Sequence, residues 1–348
     1  MKAVVIKEVG VVGVQDVPEP EPKPDEIKVK IAYAGICGSD PKIVESKGIH
    51  ISQEGAIGWP QKPFPMPQGL RFLGHEASGT IVKIGKDIKG DFKVGQHVAM
   101  NFRNACGACY YCANGMEHFC ARLTMFMGLM AEYAVFKEGL VFPLPDDLPL
   151  DVGAFLEPVS VAVHTLDIAH MKIGDTVIIT GGGTIGLLAL QLAIKSGASK
   201  VLVSEPIAEK RKLAKQLGAD VVVDPLKEDL LAISNKFTDG KGFNVCIEAC
   251  GIPSIARQLI LLAERCGAIV WAATYPSGLE VGVPIDYMYS RELSIHSVLS
   301  SPYSFPRALQ MIPKLDLKPL ITFYPLKDAV KAFKDYKMGK CIKIMLQP

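Results

Sequence analysis

No stretch of about eighteen apolar residues occurs in this sequence, so no transmembrane helix is predicted. The first twenty residues, MKAVVIKEVGVVGVQDVPEP, lack the long apolar core of a secretion signal. Net charge is only +2, with both signs spread along the chain. That leaves no electrostatic case for nucleic acid or an anionic membrane as a partner. There is no internal repeat and no low-complexity tract. The nine cysteines are an odd count, and four of them crowd between Cys106 and Cys120. Without a secretion signal that crowding points to metal, not to a disulfide framework. The expectation is a soluble, cytoplasmic protein. At 348 residues, 49% of them hydrophobic, the chain can bury a sizeable core and suggests two domains more than one.

The most organised stretch runs from Thr176 to Glu205. Val177 to Thr180 is a β-branched run, the mark of a buried strand. Gly181-Gly182-Gly183-Thr184-Ile185-Gly186 follows at once and fits G-x-G-x-x-G. Leu187 to Lys195 continues with helical apolar spacing, and Lys200 to Ser204 is a second strand ending on Glu205. In such a unit Gly181 allows a tight turn, Gly183 admits a pyrophosphate to the backbone, and Gly186 lets helix pack on strand. The helix start, with Thr184 and Ile185, offers N–H groups and partial positive charge to phosphates. Glu205 is placed to accept hydrogen bonds from a ribose diol, which favours NAD over NADP. Arg211, six residues on, is expected on the face of the next helix. The alternative is a glycine-rich turn in some other α/β domain.

Further strands are expected at Asp220 to Val223, Phe243 to Glu248, Ala268 to Ala273 and Leu293 to Val298, with helices at 207–217, 226–237 and 253–265. This alternation predicts a doubly wound parallel sheet. Before it, residues 1 to 36 alternate strand-like runs with turns and read as the start of an all-β unit, with further strand-like runs at Ala77 to Ile84 and Glu132 to Phe136. Asp151 to His170 is the first helical region.

Cys106, Cys109, Cys112 and Cys120 form the most specific motif. Four thiolates so spaced can occupy the corners of a tetrahedral Zn²⁺, a closed and therefore structural site. A redox pair or an iron–sulfur cluster is the alternative, less favoured in this context. A second set, Cys37, His75, Glu76 and Glu157, has the donor types of a catalytic zinc but is scattered along the chain. A lone Cys or His is more often packed core than ligand. Cys246, Cys250, Cys266 and Cys341 sit in or beside apolar runs and are expected as small core residues.

Taken together, Cys37-Gly38-Ser39-Asp40, Gly74-His75-Glu76, the four-cysteine lobe, Glu157-Pro158 and the turn 181–186 resemble the zinc-dependent medium-chain alcohol dehydrogenase superfamily, over nearly the whole chain. Glu157-Pro158 and Ser204-Glu205-Pro206 are most similar to its polyol, threonine and butanediol dehydrogenase branch. The resemblance implies an α/β protein with a GroES-like β-barrel catalytic domain (1–153 and 299–348, zinc lobe about 104–122) and a Rossmann domain (154–298), the active site lying in the cleft between them. It further implies Cys37, His75 and Glu76 as catalytic zinc ligands, Glu157 as a carboxylate binding that zinc directly or through water, and Ser39 as the hydroxyl that passes the substrate proton outward. Two zinc ions per chain, NAD, a small alcohol or ketone substrate and a homodimer or homotetramer complete the expectation. The chemistry implied is hydride transfer between a secondary alcohol (polyol, diol or amino alcohol) and its ketone. A relative that has kept the cofactor and lost catalysis is the non-enzymatic alternative.

Two departures stand out. Lys42 occupies a position that is often His in relatives, where it ends a proton relay. The long Gly/Pro-rich segment Gly48 to Leu70 carries Ile49, Trp59, Phe64 and Met66. Folded over the cleft, it would favour a bulky apolar alcohol, cyclic or sterol-like.

Overall fold

A computed structural model describes residues 1–45, 71–275 and 278–348. The expected apolar wall over 48–70, with Trp59 and Phe64, lies outside the described residues. The chain divides into two compact units, Met1–Glu157 with Phe305–Pro348, and Pro158–Ser304.

The first unit is built on a seven-stranded sheet. Its order is Val141–Pro143, His97–Met100, Glu76–Ile84, Glu26–Gly35, Lys343–Gln347 and Ile321–Pro325, with Tyr133–Lys137 also paired to Glu26–Gly35. Glu26–Gly35 is its hub, meeting three partners antiparallel. Its inward residues Ile27, Val29 and Ile31 are buried with Ile81, Val98, Phe136 and Ile344 in one apolar cluster. Gly35 stands opposite Glu76 in this register, and Met345 also pairs with Gly35. The closing strand therefore returns to the place where the first long strand ends.

The second unit is a six-stranded, wholly parallel sheet. Its order is Val221–Val223, Lys200–Ser204, Thr176–Thr180, Phe243–Glu248, Ala263–Trp271 and Ser294–Ser297. Val177, Ile178 and Ile179 are fully buried, as strands covered on both faces require. Strand order reverses beside Thr176–Thr180, which makes the ends of that strand and of Phe243–Glu248 the switch point where such sheets bind ligands.

Several expected boundaries move. The helical region from Asp151 breaks into Leu150–Gly153 and Leu156–Ile168. Pro158 has no N–H to give the carbonyl of Ala154, and Phe155 instead bonds back to Val152. The helix expected at 226–237 starts only at Leu230, where Asp229 caps the Ala232 N–H at 3.0 Å. The helix expected at 253–265 ends at Leu262, and Ala263 already pairs with Phe243 in the next strand. That strand is irregular around Cys266, whose φ of 60° turns it out of the sheet. Cys266 and Cys250 are consequently exposed and Cys341 is half-buried; of the four expected core cysteines only Cys246 is buried. Among the described residues no helix is long and apolar enough to cross a membrane.

Candidate metal and nucleotide sites

Register brings the first donor set together. Cys37 lies two residues beyond Gly35, and His75-Glu76 opens the strand paired to it. Ligand atoms of Cys37, His75 and Glu76 all lie within 4.8 Å of one another. His75 and Glu76 are buried and Cys37 is half-buried. A side chain at Gly35 would collide with the Glu76 carboxylate and press on Lys343, so glycine leaves room for that pair. Glu157, at the first turn of its helix, is buried and not part of that tight set. Burial pushes its carboxyl up to about 7, opposed by His75 and reinforced by Glu76.

Three residues that the motif reading passed over complete this centre. Asp40 is fully buried; its Oδ2 accepts the Cys37 N–H at 2.8 Å, and its Oδ1 lies 3.5 Å from Nδ1 of His75. Lys343 is also buried, pairs with the Glu76 carboxylate and donates to the Ile36 carbonyl at 3.2 Å. Burial alone would lower its pKa, but Glu76 and Cys37 outweigh that and raise it. The Phe102 ring packs 4.8 Å from the His75 ring and closes one side. Asp40 had a visible signal, its place in Cys37-Gly38-Ser39-Asp40. Lys343 had none, since only the return of the last strand brings it here. Ser39 is buried at the start of the short helix Asp40–Val44, which also carries the half-buried Lys42.

The donors fit a zinc ion. They combine a thiolate, an imidazole and a carboxylate, the ligand types of open zinc sites. Burial presses His75 toward neutrality, yet Cys37 and Asp40 hold its pKa well above that of ordinary imidazole. Cys37 and Asp40 therefore favour positive charge at the His75 ring.

The second set is closed. Sγ atoms of Cys109 and Cys112 are 3.5 Å apart, of Cys106 and Cys112 4.0 Å, and of Cys109 and Cys120 3.9 Å. A tetrahedron with Zn–S arms of about 2.3 Å has edges of roughly 3.8 Å. None of the four is in a disulfide. Backbone N–H groups of Cys106 and Arg122 donate to Cys120 Sγ at 3.2 and 3.3 Å. The Ala108 amide draws Cys106 down to about 6, while burial pushes Cys112 up to about 12.

In the second unit the glycine turn follows strand Thr176–Thr180 and feeds helix Thr184–Lys195. Gly181 has φ of 103°, and a side chain there would meet the Ala249 carbonyl at 2.9 Å. A side chain on Gly186 would overlap the Gly181 carbonyl. Gly183 differs: no atom lies within 4 Å of where its Cβ would be, so the backbone at the helix start faces open space. Glu205 is buried, and its two carboxylate oxygens accept the Gly182 N–H at 2.6 Å and the Ile207 N–H at 2.9 Å. The acid thus also holds the turn in place. Arg211 leaves the free helix face expected of it: Nη1 donates to the Glu205 carbonyl at 2.8 Å, and Nη2 lies 3.1 Å from Asp224.

Two family models match the chain, an alcohol dehydrogenase GroES-like domain over residues 23–146 and a zinc-binding dehydrogenase over residues 184–314. The chain is 33% identical to D-arabitol-phosphate dehydrogenase of Enterococcus avium, covering 95% of this chain and 92% of that one. It is 32% identical to L-threonine 3-dehydrogenase of Pyrococcus horikoshii, covering 94% and 92%. The chain belongs to the zinc-dependent medium-chain alcohol dehydrogenase family. This dehydrogenase falls in the polyol and threonine dehydrogenase branch, and its first unit carries the GroES-like domain and its second the Rossmann sheet. A structure from Sinorhizobium meliloti, provisionally assigned as a zinc-binding dehydrogenase and bound to NADP, superposes with a TM-score of 0.88 at 29% identity. It covers 100% of this chain and 99% of that one.

Proposed function

We propose that this dehydrogenase interconverts a secondary alcohol (a polyol, diol or amino alcohol) and its ketone, with NAD(H) and two zinc ions per chain. The observation that carries the reading is the convergence of Cys37, His75 and Glu76 within 4.8 Å, backed by the buried Asp40. Names of relatives, which include a threonine and a polyol-phosphate dehydrogenase, support the substrate class.

Cys37, His75 and Glu76 would hold the catalytic zinc, with Glu157 as the further carboxylate. Cys106, Cys109, Cys112 and Cys120 would hold the structural one. A zinc in the first set supplies Lewis acidity that lowers the pKa of an alcohol's hydroxyl. Asp40, with Oδ1 3.5 Å from Nδ1 of His75, would orient that ring and leave Nε2 for the ion. Lys343 holds one oxygen of Glu76, limiting how that carboxylate turns. Ser39, two residues beyond Cys37, receives the substrate proton on its hydroxyl.

NAD at the glycine turn supplies the hydride acceptor. Backbone at Gly183, Thr184 and Ile185 would hold the pyrophosphate, aided by the helix N-terminus. Glu205 has lone pairs beyond its two amide bonds for the ribose hydroxyls, and its charge opposes a 2′-phosphate. A cytoplasmic homodimer or homotetramer fits this reading. Initial rates with NAD⁺ across polyols, diols, amino alcohols and bulky secondary alcohols test it. Turnover confined to bulky apolar alcohols would replace the substrate class, and no turnover on any of them would end the proposal.

A further inference from the structure

Glu205 has a second layer behind it. Its own N–H donates to the Val223 carbonyl at 3.0 Å, so Asp224, the next residue, sits beside the strand end that carries the acid. Arg211 reaches back from helix Ala208–Gln216 to bridge the two ends: Nη1 holds the Glu205 carbonyl at 2.8 Å and Nη2 meets Asp224 Oδ2 at 3.1 Å. Both side chains are well shielded, at 17% and 7% exposure. Asp224 is itself built in. Its Oδ1 accepts the Leu226 N–H at 3.1 Å, and its N–H donates to Glu228 at 2.7 Å. Lys227 stands 4.0 Å away but is largely in solvent.

A cation within reach of the adenosine ribose is the group that accepts a 2′-phosphate in NADP-binding members of this fold type. Here that cation is neutralised and tethered by one carboxylate. We propose that Asp224 is a positioning residue for nucleotide choice: it holds Arg211 against the Glu205 carbonyl and so withholds the guanidinium from the 2′-phosphate of NADP. The inference rests on the assignment of the 181–186 turn and Glu205 to NAD. Asp224 touches no part of that turn itself; it acts through Arg211. Its charge is what matters, because the carbonyl oxygen of an Asn at 224 still accepts the Leu226 N–H while offering Arg211 only a neutral partner.

The experiment is titration of NADH and NADPH into the zinc-loaded wild type, Asp224→Asn, and Asp224→Asn combined with Arg211→Gln, each followed by nucleotide fluorescence. Lys210, one residue before Arg211 on helix Ala208–Gln216, has its Cβ beside Gly182 and is a second cation next to the turn, which is why the double variant is needed. Asp224→Asn should shift the NADPH/NADH affinity ratio toward NADPH by on the order of tenfold, with NADH affinity little changed. The double variant should lose that gain. An unchanged ratio in Asp224→Asn, or a gain that survives Arg211→Gln, overturns the proposal. Wild-type protein that binds neither nucleotide would instead overturn the assignment of the turn on which it rests. Melting temperatures of all three proteins are measured alongside; a shift in the ratio is not something mere loosening of the fold produces, since loosening weakens both nucleotides together.

Discussion

Nδ1 of His75 lies 3.5 Å from Oδ1 of Asp40, and each of these buried atoms lacks a hydrogen-bond partner at normal distance. The other oxygen of Asp40 is taken by the Cys37 amide. One carboxylate therefore sits behind two of the three clustered donors. This is the arrangement in which an outer carboxylate orients a ligating imidazole and raises its basicity.

Asp40→Asn should weaken zinc at the Cys37–His75–Glu76 set by roughly 10- to 100-fold, the usual cost of losing such a partner. Competition with a chromogenic chelator would measure it. The four-cysteine set should keep its ion, giving a biphasic release. Unchanged affinity at both sets would remove Asp40 from the account.

Lys343→Met leaves Glu76 buried without its cation. Breaking such a pair costs about 3–5 kcal/mol, because the remaining charge is uncompensated. The raised pKa of Lys343 also sets the pH range. Its contribution is fully present below the unfolded lysine value of about 10.4 and is lost as pH climbs through the higher folded value. The stability gap between wild type and variant in urea should thus be flat through neutral pH and shrink only in strong alkali. A gap that closes near neutrality would contradict the pairing.

Cys109→Ala should damage the fold more than the chemistry of each folded molecule. A structural ion contributes through the lobe it ties together. A loss of about 3 kcal/mol would lower Tm by roughly 6–12 °C for a domain of 150–250 residues. Calorimetry and active-site-normalised rates separate the two effects. Normal melting with abolished turnover would reverse the roles given to the two sets.

Most of this was legible in the sequence because its cues are local. The strand, glycine turn, helix and acid of residues 176–205 appear as read, since each depends on neighbours within one supersecondary unit. The four cysteines lie within fifteen positions, and Cys37 and His75 announce themselves as residue types. What stayed hidden depends on pairing between distant strands. Lys343 reaches Glu76 only because the last strand returns beside Glu26–Gly35. Arg211 looked like a surface arginine until two parallel strand ends placed Asp224 opposite it. Cys250 and Cys266 have apolar neighbours, but one sits in a turn after a strand and the other at an irregularity within one, so neither is core. Glu205 carried a double duty that spacing does not reveal, because its carboxylate closes on the Gly182 amide.

The most direct measurement is NADH formation from NAD⁺ and a panel of polyols, diols and amino alcohols, run in parallel on wild type and Cys37→Ser with zinc counted in both. The account predicts two zinc ions and turnover of at least one such alcohol in the wild type. In the variant it predicts one zinc ion, no turnover, and NADH affinity within about threefold of wild type, well under 1 kcal/mol. A wild type that carries two zinc ions and binds NADH yet oxidises none of them, or a Cys37→Ser protein that still turns over, would contradict it.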